Sequence, residues 1–233
     1  MLLILSGQNS YDSLRTAGFH PRVHTFSNVG LGGALHARIA GLATRIIDAA
    51  AYEGVNMRAL LSQQVVERSG EGSRVLEIGC GVGTLSQELA GAGLDVVGAV
   101  DSSRWMIERA RARVPGVPFS VVNAADAGQV FSDPGVDVAI ACMLAHELPR
   151  GAHYELLGNM LEATRERAGS VWIVDIDPSY SPSAAMRSGE PFIDEYLATF
   201  EETAVDVAGD ELELEIFSVI PSRVRAYVLT RRQ

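Results

Sequence analysis

Residues Val75–Ser103, VLEIGCGVGTLSQELAGAGLDVVGAVDSS, place glycine at 79, 81 and 83 and then run to an isolated acid at Asp101. Val75, Leu76 and Ile78 read as a buried strand that enters Gly79-Cys80-Gly81-Val82-Gly83 directly, with a helix opening at about Thr84. Glycine removes the Cβ obstacle, so a turn of this kind lets a ligand lie on bare backbone at a helix N-terminus. The next strand, LDVVGAV, ends at Asp101, where a carboxylate can accept hydrogen bonds from both hydroxyls of a ribose. Together the two features predict a nucleoside-containing cofactor.

Outward from this stretch the pattern alternates. Strands are expected at 74–79, 95–100, 118–122, 136–142 and 170–176, with helices at 84–91, 103–113 and 151–167 between them. Short β-rich runs separated by helices imply right-handed βαβ units and a parallel sheet. The C-terminal runs ELELEIF and RVRAYVLTRR alternate instead, as an antiparallel pair at a sheet edge does. Between them, DPSYSPSAAMRSGEP is rich in Ser, Pro and Gly and reads as a long loop at 178–191. Upstream, 33–50 and 55–68 carry helical spacing. The expected organisation is an N-terminal helical cover over 1–70 and a cofactor-binding domain over 71–233.

Nineteen Lys and Arg against 29 Asp and Glu give a net charge of −10, which repels a phosphate backbone, and the sequence offers no basic patch to offset it. Nucleic acid is therefore not an expected partner. The opening MLLILSGQNS has too short an apolar run for a signal peptide or a membrane span, so a cytoplasmic protein with no membrane partner is expected. Cys80 and Cys142 fall in separate apolar segments and read as reduced thiols.

A dinucleotide fingerprint needs G-x-G-x-x-G, but here the third glycine comes one place early and Thr84 stands where that pattern wants glycine. With Glu77 in the strand and G-x-G-x-G spacing, the segment resembles motif I of the class I S-adenosylmethionine-dependent methyltransferases. Asp101 matches that family's ribose acid, and Asp126 in VVNAADAG matches its acid for the adenine amino group. The resemblance implies a seven-stranded, mostly parallel sheet with one antiparallel strand and helices on both faces. It implies S-adenosylmethionine as cofactor and S-adenosylhomocysteine as product. By carry-over, Glu77 and the backbone of Gly79 and Gly81 hold the methionine end, with Cys80 and Gly83 among the cofactor-binding residues of the same turn; Ser102 and Met106 border ribose and adenine; Ala125 lies beside the base; and Met143 lines the same pocket.

In an open α/β sheet the acceptor faces the carboxyl ends of the strands, here Cys142-Met143-Leu144-Ala145-His146-Glu147. The Asn/Asp-Pro-Pro-Tyr motif of nucleic-acid and amide-nitrogen methyltransferases is absent from it. No acid stands at 142–146, and Asp175 and Asp177 alone make no metal centre, so no metal is expected. His146 is the candidate general base, because a hydroxyl must lose its proton as it attacks a sulfonium methyl; its alternative role is to orient the loop. His20, His24, His36, His153 and Tyr11 are weaker candidates. The acids from Glu190 to Glu215 read as the solvated face of a helix whose apolar stripe is Ile193, Tyr196, Leu197, Phe200, Ala204 and Val207. The expected reaction is methyl transfer to oxygen or nitrogen of a small molecule. The alternatives are a non-catalytic S-adenosylmethionine-binding subunit and, third, a nicotinamide-dependent oxidoreductase.

Overall fold

The computed structural model describes residues 34–35, 37–39, 52–131 and 134–232. The expected helix over 33–50 lies largely outside the described residues, as do His20, His24, His36 and Tyr11; the described positions from 34 to 39 are helical.

Seven strands form one sheet: β1 Arg74–Ile78, β2 Asp95–Asp101, β3 Phe119–Val121, β4 Val138–Cys142, β5 Ser170–Ile176, β6 Leu212–Ile220 and β7 Val224–Arg231. Their order is β3-β2-β1-β4-β5-β7-β6. The first five pair in parallel, while β7 runs antiparallel to both β5 and β6. The expected fold, with its single reversed strand, is the one observed. The strand order reverses at β1, which has β2 on one side and β4 on the other, and open α/β sheets bind ligands at such a switch point.

Successive strand residues point to opposite faces, so each central strand feeds two cores. Leu76, Ile78, Ala139, Ala141 and Ile173 pack on one face under α4 Ala124–Val130, α5 Arg150–Ala163 and α7 Ile193–Ala208. Val75, Val138, Ile140, Trp172 and Val174 pack on the other, under α1 Met57–Ser69, α2 Thr84–Gly91 and α3 Arg104–Arg113. Each fully buried aliphatic side chain contributes about 1.5–3 kcal/mol of transfer free energy. Helix α1 is capped by the Asn56 side chain, which accepts the Ala59 N–H, and buries Met57, Leu61 and Val65 at one-turn spacing. The hairpin's outer strand β6 keeps Glu213 and Glu215 on an edge where charge discourages pairing with another sheet.

Three expectations need correction. The segment read as one loop over 178–191 contains a short helix, α6 Ala184–Gly189, opened by Ser183, whose hydroxyl accepts the Met186 N–H, and stopped where Pro191 holds Glu190 extended. Helix α4 is an element that the apolar spacing did not announce; its signal is the cap Asn123, whose side chain accepts the Ala125 N–H. The helix expected over 151–167 ends at Ala163, and a 3₁₀ turn at Arg165–Arg167 follows.

Candidate active site

The turn after β1 is held from both sides. Gly79, Gly81 and Gly83 all have positive φ, at 75°, 52° and 75°. A Cβ at Gly83 would lie 3.1 Å from Ala110 Cβ and 3.2 Å from Phe119 Cζ, so this glycine lets α2 and α3 approach. A Cβ at Gly79 would lie 2.9 Å from Leu144 Cδ2, which brings the β1 and β4 loops into contact. A Cβ at Gly81 would meet nothing within 4 Å among the described residues. Asp101 binds the turn from the end of β2: Oδ2 accepts the Gly81 N–H at 2.9 Å and Oδ1 accepts the Ser103 N–H at 2.8 Å. A carboxylate has acceptor capacity beyond two amides, so holding the loop and receiving ribose hydroxyls are compatible tasks.

Glu77 is 3% exposed and accepts a short hydrogen bond from the Ser86 hydroxyl in α2. Burial pushes its carboxyl up to about 7, against the opposing pull of that hydrogen bond and of Arg58. Cys80 is buried and its thiol is pushed well up by burial, with the charges of Glu77 and Asp101 adding to the effect. It packs; it is no nucleophile. Ser102 is exposed on the rim, whereas Met106 is buried and packs with Val82 and with Ala37 of the N-terminal helical segment. Ala125 and Asp126 are half-buried in the first turn of α4, just past the end of β3. The candidate cofactor residues at 77–83, 101–106 and 125–126 thus all lie at or just beyond the carboxyl ends of β1, β2 and β3.

The β4 end is built differently. Met143 has φ 57°, a left-handed conformation that costs a non-glycine residue on the order of 1 kcal/mol or more and recurs at functional sites. Its N–H donates to the Val174 carbonyl at 2.8 Å, and a 3₁₀ turn at Ala145–Glu147 follows. This turn delivers His146 to Asp175 at the end of β5. The His146 Nδ1–Asp175 Oδ1 distance is 2.7 Å, Asp175 Oδ2 also accepts the His146 backbone N–H at 3.2 Å, and Oδ1 accepts the Ile176 N–H at 2.7 Å. Burial lowers the imidazole's affinity for protons, but the charge and hydrogen bond of Asp175 more than reverse this, and Glu147 and Glu190 add to it, raising His146 to about 9. Asp175 is fully buried, yet the imidazolium holds its carboxyl below the usual carboxylate range. At neutral pH the two form an ion pair.

Glu147 is pushed up to about 7, first by burial and then by the charges of Glu190, Asp101 and Asp175, with His146 opposing. A ring nitrogen of His146 and carboxylate oxygens of Glu147 and Glu190 lie within 4.8 Å of one another. Neither acid stands out in the sequence: Glu147 lies one residue beyond the acid-free stretch 142–146, and Glu190, at the end of the expected loop, opens the acidic run read as a solvated helix face. Asp177, by contrast, is committed to structure, accepting from Arg225 Nε at 2.9 Å and from the Ser179 hydroxyl at 2.6 Å. His153 is also structural: it is fully buried, its Nε2 lies 2.8 Å from the Ala145 carbonyl, and its ring packs edge-on against Phe200 at 5.1 Å. Cys142 is half-buried at the end of β4. The acids of α7 serve surface contacts: Arg150 with Glu202, Arg187 with Asp194 and Arg225 with Glu201. No helix among the described residues is long and apolar enough to cross a membrane.

A family model described as "Methyltransferase domain" matches residues 75–168. Among solved structures, the chain is similar to a TehB-like SAM-dependent methyltransferase from Corynebacterium glutamicum, at 19% identity over 85% of this chain and 99% of that one, with a TM-score of 0.59. It is also similar to the plantazolicin methyltransferase BpumL bound to a triazolic substrate analogue and SAH, at 17% identity over 94% and 98%, TM-score 0.63. A third similarity is to the N-methyltransferase NodS from Bradyrhizobium japonicum, at 16% identity over 80% and 99%, TM-score 0.57. No curated protein matches the chain. Residues 75–168 match the methyltransferase domain model, and the chain has the fold of the class I S-adenosylmethionine-dependent methyltransferases.

Proposed function

We propose that the protein binds S-adenosylmethionine across the carboxyl ends of β1, β2 and β3 and transfers its methyl group to an oxygen or nitrogen of a small-molecule acceptor. The observation that carries this reading is the Gly79–Gly83 turn: positive φ at all three glycines, no described residue within reach of a Cβ at Gly81, and an acid, Asp101, clamping the turn from the neighbouring strand. Such a turn accommodates a nucleoside cofactor whose polar end rests on backbone amides. Asp101 would receive the ribose hydroxyls, Asp126 the adenine amino group, Ser102, Met106 and Ala125 would border them, and Glu77 with the 79–83 backbone would hold the methionine end. A cationic amino group beside Glu77 would return its buried carboxyl to the ionised form. Leu144, which abuts the turn at Gly79, and Met143 before it would separate the donor from the acceptor.

When bound, the cofactor supplies a sulfonium methyl already activated for attack, so the residues' tasks are alignment and proton handling. His146 faces that task with Asp175 behind it. To take a proton from an acceptor hydroxyl, or to offer a lone pair at all, the ring must first shed the proton that Asp175 stabilises; turnover is therefore expected to rise as pH approaches about 9. The negative surface makes a phosphate-rich polymer a poor acceptor, and the His146–Glu147–Glu190 corner offers polar recognition to a compact molecule.

The test is incubation of the purified protein with methyl-labelled S-adenosylmethionine and a small-metabolite extract, read by mass spectrometry, with Asp101→Ala as control. A labelled low-mass product missing from the control is expected. S-adenosylhomocysteine binding with no labelled small molecule in any extract, and label instead in protein or nucleic acid, would overturn the acceptor class.

A further inference from the structure

The corner formed by His146, Glu147 and Glu190 has properties that methyl transfer does not require. Its three candidate ligand atoms come from two segments far apart in the chain, the 3₁₀ turn after β4 and the residue before Pro191, and they converge within 4.8 Å of one another. Two carboxylates at that separation repel each other at moderate effective dielectric unless a positive charge lies close to them, which in the metal-free protein is the His146 imidazolium and in the metal-bound one would be the cation. Neither side chain accepts a hydrogen bond from any described residue, so the protein spends no donor on holding them there.

The histidine gives the second, independent observation. Its side chain is only 7% exposed, and its Nδ1 is fixed by Asp175, which is 0% exposed, at 2.7 Å. With Nδ1 engaged, the nitrogen left over is Nε2, which has no hydrogen-bond partner among the described residues. A buried imidazole braced at one nitrogen by a carboxylate, with Nε2 left unpartnered and a ring nitrogen close to a pair of acids, resembles the arrangement in which an outer-shell carboxylate fixes the tautomer and orients a metal-ligating histidine. Backbone geometry supports the placement: Met143 at φ 57° sets the direction of the 3₁₀ turn, and Pro191 holds Glu190 in an extended conformation at the end of α6.

We infer that His146, Glu147 and Glu190 bind one divalent metal cation, with Asp175 as the positioning residue behind the histidine. One imidazole and two carboxylates form a mixed nitrogen and oxygen set suited to Mn²⁺ or Zn²⁺ and leave coordination positions open. The site depends on these residues alone. Its use in catalysis rests on the methyl-transfer reading above, with the cation taking over the activating task from the free imidazole: a cation with open positions can hold an acceptor oxygen and lower its pKa, whereas in the metal-free protein His146 itself takes the proton.

The experiment titrates the full chain with Mn²⁺, read by loss of the free-ion electron paramagnetic resonance signal, and with Zn²⁺, read by calorimetry. The variants are Glu190→Gln, Glu147→Gln and Asp175→Asn, and S-adenosylhomocysteine binding is measured on the same samples. One equivalent of cation per chain is expected for the wild type. Affinity should fall at least about tenfold in each glutamine variant, as loss of a ligand must exceed the weaker end of outer-shell effects, and by about 10–100-fold in Asp175→Asn. Binding of neither ion by the wild type, or equal binding by the wild type and Glu190→Gln, would overturn the site. Glu190 is half-buried before Pro191 and its variant is expected to fold; circular dichroism and the S-adenosylhomocysteine titration verify this. Because that titration is independent of the cation, a missing metal site and a missing donor site give different results.

Discussion

The two halves of the site, at the ends of β1–β3 and of β4–β5, are built by different means. The half proposed to hold the donor is mostly backbone: glycines with positive φ, amides gathered by Asp101, and a helix start, all within residues 77–126. The half proposed to face the acceptor is mostly side chain: a buried His146–Asp175 pair with a sequence separation of 29, and two acids nearby. Backbone recognition tolerates little variation, because what matters is where amides can go. Side-chain recognition changes with one substitution, which suits the half that must choose a substrate.

If the halves are separable in function, variants should divide accordingly. The largest effect is expected from His146→Ala, with turnover down roughly a hundredfold and S-adenosylhomocysteine affinity unchanged; steady-state kinetics beside calorimetry would show this split, and a parallel loss of both would break the comparison. Next comes pH. Glu77 and Glu147 have folded pKa values of about 7, above their ordinary 4.5, and His146 one of about 9, above 6.5. Groups raised on folding contribute stability that is present below their unfolded values and lost as pH rises through their folded ones. The acids therefore contribute a loss between about 4.5 and 7 and the histidine one between about 6.5 and 9. Asp175 is lowered and contributes in the opposite sense, its share being lost as pH falls below 3.8. Unfolding by urea should show greatest stability in mildly acidic buffer and a decline toward pH 9. In His146→Ala the decline above pH 7 should flatten; an undiminished slope would remove the ion pair from the account.

A smaller effect is expected from Asp101→Asn, which keeps the shape but loses the charge at the turn: S-adenosylhomocysteine binding weaker by about 1 kcal/mol or more, through weaker charge-assisted hydrogen bonds. The smallest belongs to Arg68→Ala. Arg68 pairs with Glu215 and lies 4.3 Å over the Phe217 ring, on α1 and away from both halves. Its loss should cost about 0.5–1 kcal/mol of stability and leave binding and turnover untouched. A change in turnover there would mean that the hairpin reaches the site.

The same division governs how much could be read from the sequence. Gly79, Gly81, Gly83 and Asp101 are legible because a turn and the end of the next strand are local features with fixed spacing, and the sheet follows from apolar runs that alternate with helices. The acceptor half depends on long-range register. Only the pairing of β4 with β5, which sets Cys142 beside Val174, brings the residues after one strand to the end of the other and so joins His146 to Asp175. Nothing near Asp175 or Glu190 in the chain announces that partnership. Helices α4 and α6 escaped notice because, at seven and six residues, they are too short to display a period, and their caps Asn123 and Ser183 are the only local signal.

The most direct test of the account is a calorimetric titration of the wild type, Asp101→Asn and His146→Ala with S-adenosylhomocysteine. The account predicts one equivalent bound by the wild type, the same affinity in His146→Ala, and weaker binding in Asp101→Asn. No binding by the wild type, or equal weakening in both variants, would contradict the assignment of donor and acceptor to separate halves of the sheet edge.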